Sequence, residues 1–276
     1  MEINRVAVIG MGTMGSQIGI VCARGGFMTS MADASIKLIE KGLNNIKSFL
    51  TNQIKKGKMT EGEKENILSR IKTTTNLDEA LSGAELMIEA VYEDIEVKKE
   101  IFKKADLTCP KETILTSNTS TLSITEMGAA TKRAERCIGT HFLIPAALTP
   151  LVEVVRGMET SDETLDTVIS FLTKCGKETV TVIDSPGFVI NRLYLPMVNE
   201  AFFALEMMDE IKARKILDAV RGMDAVDRDI LSEILINVGK IGVENDTIKE
   251  IDINPVIISG SRPVAVDALV VLQPTG

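Results

Sequence analysis

The sequence predicts an α/β protein with three parts. A doubly wound, mainly parallel sheet covers residues 1–186, one bridging helix covers 187–210, and a small α/β appendage covers 211–276. Three observations carry this. Short apolar, β-rich runs alternate with helix-period segments, the order that builds a parallel sheet flanked by helices. The first strand runs directly into a glycine-rich turn that opens a helix. From about Ile211 the pattern changes to two amphipathic helices and a hairpin-like pair of strands, with no Gly/Pro/Ser linker at the join.

The elements follow in order. "RVAVIGMGTMGSQIGIVCARGG" opens with an apolar strand over 5–9, then gives Gly10, Gly12 and Gly15 in the GxGxxG spacing, then a helix. The first glycine permits the tight turn, the second lets the backbone approach a pyrophosphate, and the third lets helix pack on strand. Free N–H groups at the helix start favour a bound diphosphate. A second strand, "FMTSMAD", ends at Asp33, eighteen residues after Gly15. An acid there is placed for the adenosine ribose hydroxyls, which favours NAD over NADP and makes the fold Rossmann-like. The bland alternative is that the glycines serve only a turn and Asp33 only caps the next helix.

Residues 34–72 read as charged helix, with Thr60 and Glu63 forming a capping box that opens a second helix. Lys55, Lys56 and Lys58 at the preceding helix end are either solvated or in contact with a ligand's phosphates. "ELMIEAVYED" reads as a buried strand entering a loop and then a helix. "ETILTSNTSTLSITEM" carries a strand over 113–116 and a polar turn, Ser117, Asn118, Thr119 and Ser120, then a helix. Such a turn, beyond a strand's carboxyl end, either holds ligand or merely caps a helix. "RCIGTHF" is a strand ending at His141, the only histidine. Glu153 interrupts the apolar run "LVEVV", and a carboxylate in a buried strand is costly unless paired. A histidine is a natural partner.

Composition bounds the function. Apolar residues make up 45% and charged residues 25%, an ordinary globular balance over 276 residues. The net charge of −8 argues against a nucleic-acid partner. Four scattered cysteines without a CxxC pair suit a reduced compartment. The N-terminus lacks signal-peptide features and no apolar run is long enough for a bilayer, so the expectation is a cytoplasmic protein with no membrane partner.

Taken together, "VAVIGMGTMG", "IEAVYEDIEVKKEIF", "ILTSNTSTLSIT", "GTHF", "LVEVVRG" and "DSPGFVINRLYLPMVNEA" resemble, in order and spacing, the L-3-hydroxyacyl-CoA dehydrogenases over residues 1–208. The resemblance implies NAD as cofactor, held by Gly10, Gly12, Thr13, Met14, Gly15 and Asp33, with Glu93 and Lys98 beside its nicotinamide end. It implies His141 as base, Glu153 as its partner carboxylate, and Ser120 and Asn191 near the substrate's reacting oxygen. Lys55 or Lys56 would lie near the CoA moiety. The implied reaction is oxidation of a short-chain (S)-3-hydroxyacyl-CoA in fatty-acid or butanoate metabolism. An imidazole suits removal of the hydroxyl proton because its pKa is closest to neutral.

The sequence departs from the family's pattern. "FLIP" replaces the usual "FFNP", so Ile144 stands where an Asn is common, and Pro150 stands where a Lys is common. The helical continuation that builds the family's acyl pocket and dimer interface is replaced, which leaves a homo-oligomer without its usual interface. From about Ile211 the chain instead resembles the C-terminal end of the ATP-grasp domain of ADP-forming acyl-CoA synthetases, as in a gene fusion. That likeness would put Asp252, Asn254 and Asp267 at magnesium positions, although most of a nucleotide site is absent. Two other functions remain open on these grounds: an NAD-binding chain with weak or no turnover, and an accessory chain that docks on an acyl-CoA synthetase.

Overall fold

Strand β1 (Arg5–Ile9) is an interior strand of an eight-stranded sheet, with β2 (Met28–Ala32) and β3 (Ile71–Thr74) on one side. On the other side follow β4 (Leu86–Glu89), β5 (Ile114–Ser117), β6 (Cys137–Phe142), β7 (Leu151–Arg156) and β8 (Glu178–Ile183). The order β3-β2-β1-β4-β5-β6-β7-β8 reverses direction between β1 and β4, the switch point at which such sheets open a crevice. Every neighbouring pair is parallel except β6 and β7. The computed structural model describes residues 2–209, 217–218, 224–245, 247–253 and 255–272.

Strand residues alternate between the two faces, and each face has its own core. Val6, Val8, Leu86, Ile88, Ile114 and Val154 join Ile18, Val21, Ile46, Leu50 and Phe171. These come from α1 (Thr13–Arg24), α2 (Ile36–Lys55) and α7 (Asp162–Lys174). Ala7, Ile9, Met87, Leu115 and Val155 pack instead with Leu81, Phe102 and Met127. Those belong to α4 (Leu77–Leu81), α5 (Ile95–Thr108) and α6 (Ile124–Ala129). Burying a side chain such as Phe102, fully enclosed, is worth about 1.5–3 kcal/mol.

The helix α3 (Glu61–Ser69) opens with the expected capping box: Thr60 Oγ1 accepts from Glu63 N, and Glu63 accepts from Thr60 N. The helical pattern expected to run to residue 72 stops at Ser69, because Ile71 and Lys72 pair with β2 as β3. The strand expected over 113–116 begins and ends one residue later.

The chain divides into two compact units at Asn191/Arg192. Helix α8 (Ile190–Asp209) begins in the first and continues in the second. The remaining helical continuation expected across the join falls mostly on residues outside those described. In the second unit α9 (Arg228–Glu244) packs on β9 (Ile248–Ile253) and β11 (Arg262–Ala265). Where the sequence suggests one hairpin-like pair, there are two antiparallel pairs among the described residues. β9 pairs with β12 (Ala268–Leu272), and β10 (Val256–Ser259) pairs with β11.

Candidate active site

At the glycine turn, packing dictates the residue type. Gly10 has φ +100°, and a Cβ there would stand 2.6 Å from the Ala90 carbonyl oxygen. A Cβ on Gly15 would lie 1.8 Å from the Gly10 oxygen, so α1 can approach the turn after β1 only because Gly15 is bare. Around Gly12 an added Cβ meets nothing within 4 Å. Gly12 is also the N-cap of α1 and carries no side chain to cover the first-turn N–H groups. That open, positively polarised end fits a diphosphate. Thr13 is exposed on the turn, and Met14 packs partly on the core beneath it.

Asp33 is not a helix cap: Ser35 caps α2, accepting from Leu38 N. The Asp33 carboxylate instead accepts from Met11 N at 2.7 Å and from Ala34 N at 2.7 Å, which fastens it beside the glycine turn. Gly10, Gly12, Asp33, Ala34, Val91 and Tyr92 line a mostly apolar cleft of about 500 Å³. That is the volume and character of a pocket for part of a cofactor.

The cleft continues into a buried ionic network at the carboxyl end of β4. Glu89, fully buried, accepts from Lys98 Nζ at 2.8 and 3.0 Å, from Ser117 Oγ at 2.5 Å and from Val91 N at 2.7 Å. Lys98, on α5, also pairs with Glu93 at 3.3 Å. Glu93 in turn accepts from Thr119 Oγ1, from Ser120 N at 3.0 Å and from Thr121 Oγ1 at 3.3 Å. Burial pushes the Glu89 carboxyl above its ordinary value, against the pull of Lys98 and Ser117. At Glu93 burial acts the same way. There Thr119, Lys98 and the Ser120 N–H outweigh it and hold the carboxyl below its ordinary value.

His141 and Glu153 are register partners across the one antiparallel junction of the sheet. Both are buried, Glu153 completely, and His141 Nδ1 stands 2.7 Å from Glu153 Oε2. A carboxylate only accepts, so Nδ1 carries the proton and Nε2 is the acceptor nitrogen. The other oxygen, Oε1, accepts from Val189 N and Ile190 N, each at 2.9 Å. Those N–H groups are aimed by Gly187 (φ 76°) and Phe188 (φ 50°), an unusual conformation for a side chain of that bulk. The Phe188 ring also sits 5.6 Å from the imidazole, so the turn that holds the carboxylate walls the histidine. Alternation places Glu89, Ser117, His141 and Glu153 on one sheet face: the first three lie at or near the carboxyl ends of β4, β5 and β6, and antiparallel β7 brings Glu153 to the same edge near its amino end.

The remaining expected residues divide. Asn191 Nδ2 donates to the Ser120 carbonyl at 3.2 Å, which brings those two together and links them through Ser120 N to Glu93. Lys55 and Lys56 are exposed at the end of α2, and neither forms a hydrogen bond or ion pair with the other named site residues among those described. Asp252 in β9 and Asp267 before β12 are both exposed, and Asp267 accepts from its neighbour Ala268 N. Asn254 lies outside the described residues.

Three contributions escape the sequence reading. Glu89 interrupts "LMIEAV" just as Glu153 interrupts "LVEVV", so the same signal, a carboxylate within an apolar strand, could have found it. The N–H groups of Val189 and Ile190 carry no side-chain signature. Lys177, buried, donates to the carbonyls of Ala146 and Thr149 at 2.6 and 2.7 Å. With Arg24, which donates to Ala147 O, it ties down the loop after His141.

Residues 5–185 match the NAD binding domain family of 3-hydroxyacyl-CoA dehydrogenase, and residues 188–272 match an ATP-grasp domain family. The second match begins at 188, ahead of the Ile211 start that the sequence suggests. A probable 3-hydroxybutyryl-CoA dehydrogenase of Bacillus subtilis is 44% identical over 76% of this chain and 76% of its own length. The 3-hydroxybutyryl-CoA dehydrogenase of Clostridioides difficile is 43% identical over 71% of this chain and 70% of its own. The crystal structure of (S)-3-hydroxybutyryl-CoA dehydrogenase from Ralstonia eutropha superposes with a TM-score of 0.73 at 40% identity. It covers 77% of this chain and 75% of that one.

Proposed function

Because the chain belongs to the 3-hydroxyacyl-CoA dehydrogenase family, we propose that it oxidises short-chain (S)-3-hydroxyacyl-CoA, such as 3-hydroxybutyryl-CoA, to the 3-oxo thioester with NAD. The single observation that carries the reading is the buried His141–Glu153 pair, with Nδ1 engaged and Nε2 left to accept a proton. His141 Nε2 takes the proton of the C3 hydroxyl. NAD, when bound, accepts the hydride from that carbon. Gly10, Gly12, Thr13, Met14, Gly15 and Asp33 hold the adenosine and diphosphate part, and Glu93 and Lys98 face the nicotinamide half.

The imidazolium formed in the step faces a carboxylate already in place. Two backbone N–H groups hold the other oxygen of the fully buried Glu153, so the side chain is fixed toward the histidine without rearrangement. Ser120 and Asn191 hydrogen-bond the reacting oxygen and fix its distance from Nε2. Lys55 and Lys56, exposed at the end of α2, meet phosphates of the CoA moiety.

The test is NADH consumption with acetoacetyl-CoA, the reverse reaction, by the native chain and by His141→Gln. Loss of a general base lowers turnover about a hundredfold or more. Equal turnover in the two proteins, or none in a native chain that binds NADH, would overturn the proposal.

A further inference from the structure

Lys98 lies between two carboxylates, and the charges do not cancel. Its ammonium touches both oxygens of Glu89 at 2.8 and 3.0 Å and one of Glu93 at 3.3 Å. The next lysine on α5, Lys99, is engaged elsewhere, by Glu96 and Glu126. Two carboxylates and one ammonium leave the cluster one negative charge in excess. Glu89 and Lys98 are sealed from water, whereas the Glu93 side chain is 40% exposed, so the excess charge faces outward through Glu93.

Its position follows from the fold. The adenosine side of the crevice is marked by Asp33 and the glycine turn on the β1–β2 half. A dinucleotide lying across the switch point must therefore extend its other half over the carboxyl ends of β4 and β5. Those ends are Glu89 and Ser117, and Val91 joins the two regions: it lines the cleft and its N–H donates to Glu89.

We propose that the Glu89–Lys98–Glu93 cluster sets the preference of the cofactor site between oxidation states, favouring the cationic oxidised nicotinamide over the neutral reduced ring. Glu89 is the positioning residue: it holds Lys98 so that one of the two carboxylates is neutralised and the other is not. The oxidised ring carries one positive charge that the reduced ring lacks, so a fixed negative charge acts on one form and hardly on the other. Groove shape and diphosphate contacts are common to both forms and cancel in their ratio. This inference rests on the dehydrogenase reading above.

The experiment measures Kd for NADH by its own fluorescence, and Kd for NAD by competition against NADH. The chain contains no Trp, so no indole emission overlaps the titration. Glu93→Gln keeps the shape and removes the excess charge. It raises the ratio Kd(NAD)/Kd(NADH) about three- to tenfold, the size of one unit charge acting across a partly solvated site. Glu89→Gln raises the ratio in the same direction. The partly exposed position of Glu93 keeps the first variant informative even where the buried Glu89→Gln fails to fold. High salt shrinks the difference between native and Glu93→Gln. If both Kd values shift together and the ratio stays fixed, the cluster only packs and the inference is overturned. If the native chain binds neither form, the dehydrogenase reading itself has failed, which is a distinguishable result.

Discussion

Replacing Glu153 by Gln tests the site more sharply than replacing the histidine. The isosteric change removes charge without volume, but Gln has one acceptor where Glu153 uses two. Oε2 faces His141 Nδ1 at 2.7 Å, and Oε1 faces two N–H donors at 2.9 Å. With its amide nitrogen toward Val189 and Ile190, Gln would set donors against donors in a dry site, at about 1–3 kcal/mol for each group left unmet. The favoured orientation is the other one, with the amide NH₂ toward the histidine. Nδ1 must then accept, the proton moves to Nε2, and the nitrogen that should take the hydroxyl proton already carries one. A wrong tautomer together with a lost counter-charge lowers kcat about a thousandfold or more, roughly 4 kcal/mol. The assay is oxidation of (S)-3-hydroxybutyryl-CoA at saturating NAD, with NADH affinity and Tm measured on the same samples. A Glu153→Gln protein that folds, binds NADH as the native chain does and keeps kcat within about threefold (under 1 kcal/mol) would refute the argument.

Further outcomes follow from the same geometry. Gly12→Ala should fold and melt like the native chain, since its Cβ meets nothing, yet bind NADH about tenfold more weakly because a methyl group intrudes where the diphosphate approaches. Gly15→Ala places a Cβ 1.8 Å from a carbonyl oxygen and should lower Tm, by about 1–3 kcal/mol of stability, before binding is considered. The cysteines are buried, which pushes Cys109 up to about 11, Cys137 and Cys175 up to about 12, and Cys22 well above its ordinary value. Iodoacetamide at mildly alkaline pH should therefore leave the native thiols unmodified over the time in which it labels all four in denaturant, as mass spectrometry reads directly. Glu93 titrates below its unfolded value, so its stabilisation is complete above about pH 4.5 and is lost as pH falls through the lower folded value. Glu89, with its carboxyl raised, acts in the opposite sense. The difference in Tm between native and Glu93→Gln therefore isolates the first effect, and it should narrow below pH 4.5.

How far the sequence discloses the site depends on whether the signal is local. The glycine spacing, the Thr60–Glu63 cap and the cost of a carboxylate inside "LVEVV" each express a rule that acts within a few residues. They translate into the observed turn, capping box and buried His141–Glu153 hydrogen bond. Asp33 is legible for the same reason, since it directly follows a strand at a fixed distance from the glycines. Glu89 emits as strong a signal as Glu153, but its partners Lys98 and Ser117 meet it through strand register and a helix crossing, neither of which spacing reports. The β3 edge strand hides in a charged segment that ends a helix, where tertiary pairing with β2 overrides local pattern. The N–H groups of Val189 and Ile190 are invisible in principle, because every residue but proline offers the same donor. The tail differs too: its pattern suggests one strand pair, whereas among the described residues β9 pairs with β12 across the whole local β10–β11 hairpin, a pairing that local pattern does not report.

The antiparallel junction between β6 and β7 has a consequence for how this site can change. A parallel neighbour would need a crossover of a dozen or more residues with its own helix to bring a second side chain opposite the first. Here the acid and the imidazole face each other within a single loop-and-return, and their alignment is fixed by the ladder on either side of it. The intervening segment, Leu143 to Pro150, is anchored from outside by Lys177 and Arg24 and plays no part in that alignment. The departures at Ile144 and Pro150 both fall within it, and both side chains are exposed. The loop and the pair are thus separable: substitutions can change the exposed surface between Leu143 and Pro150 while His141 and Glu153 stay in register.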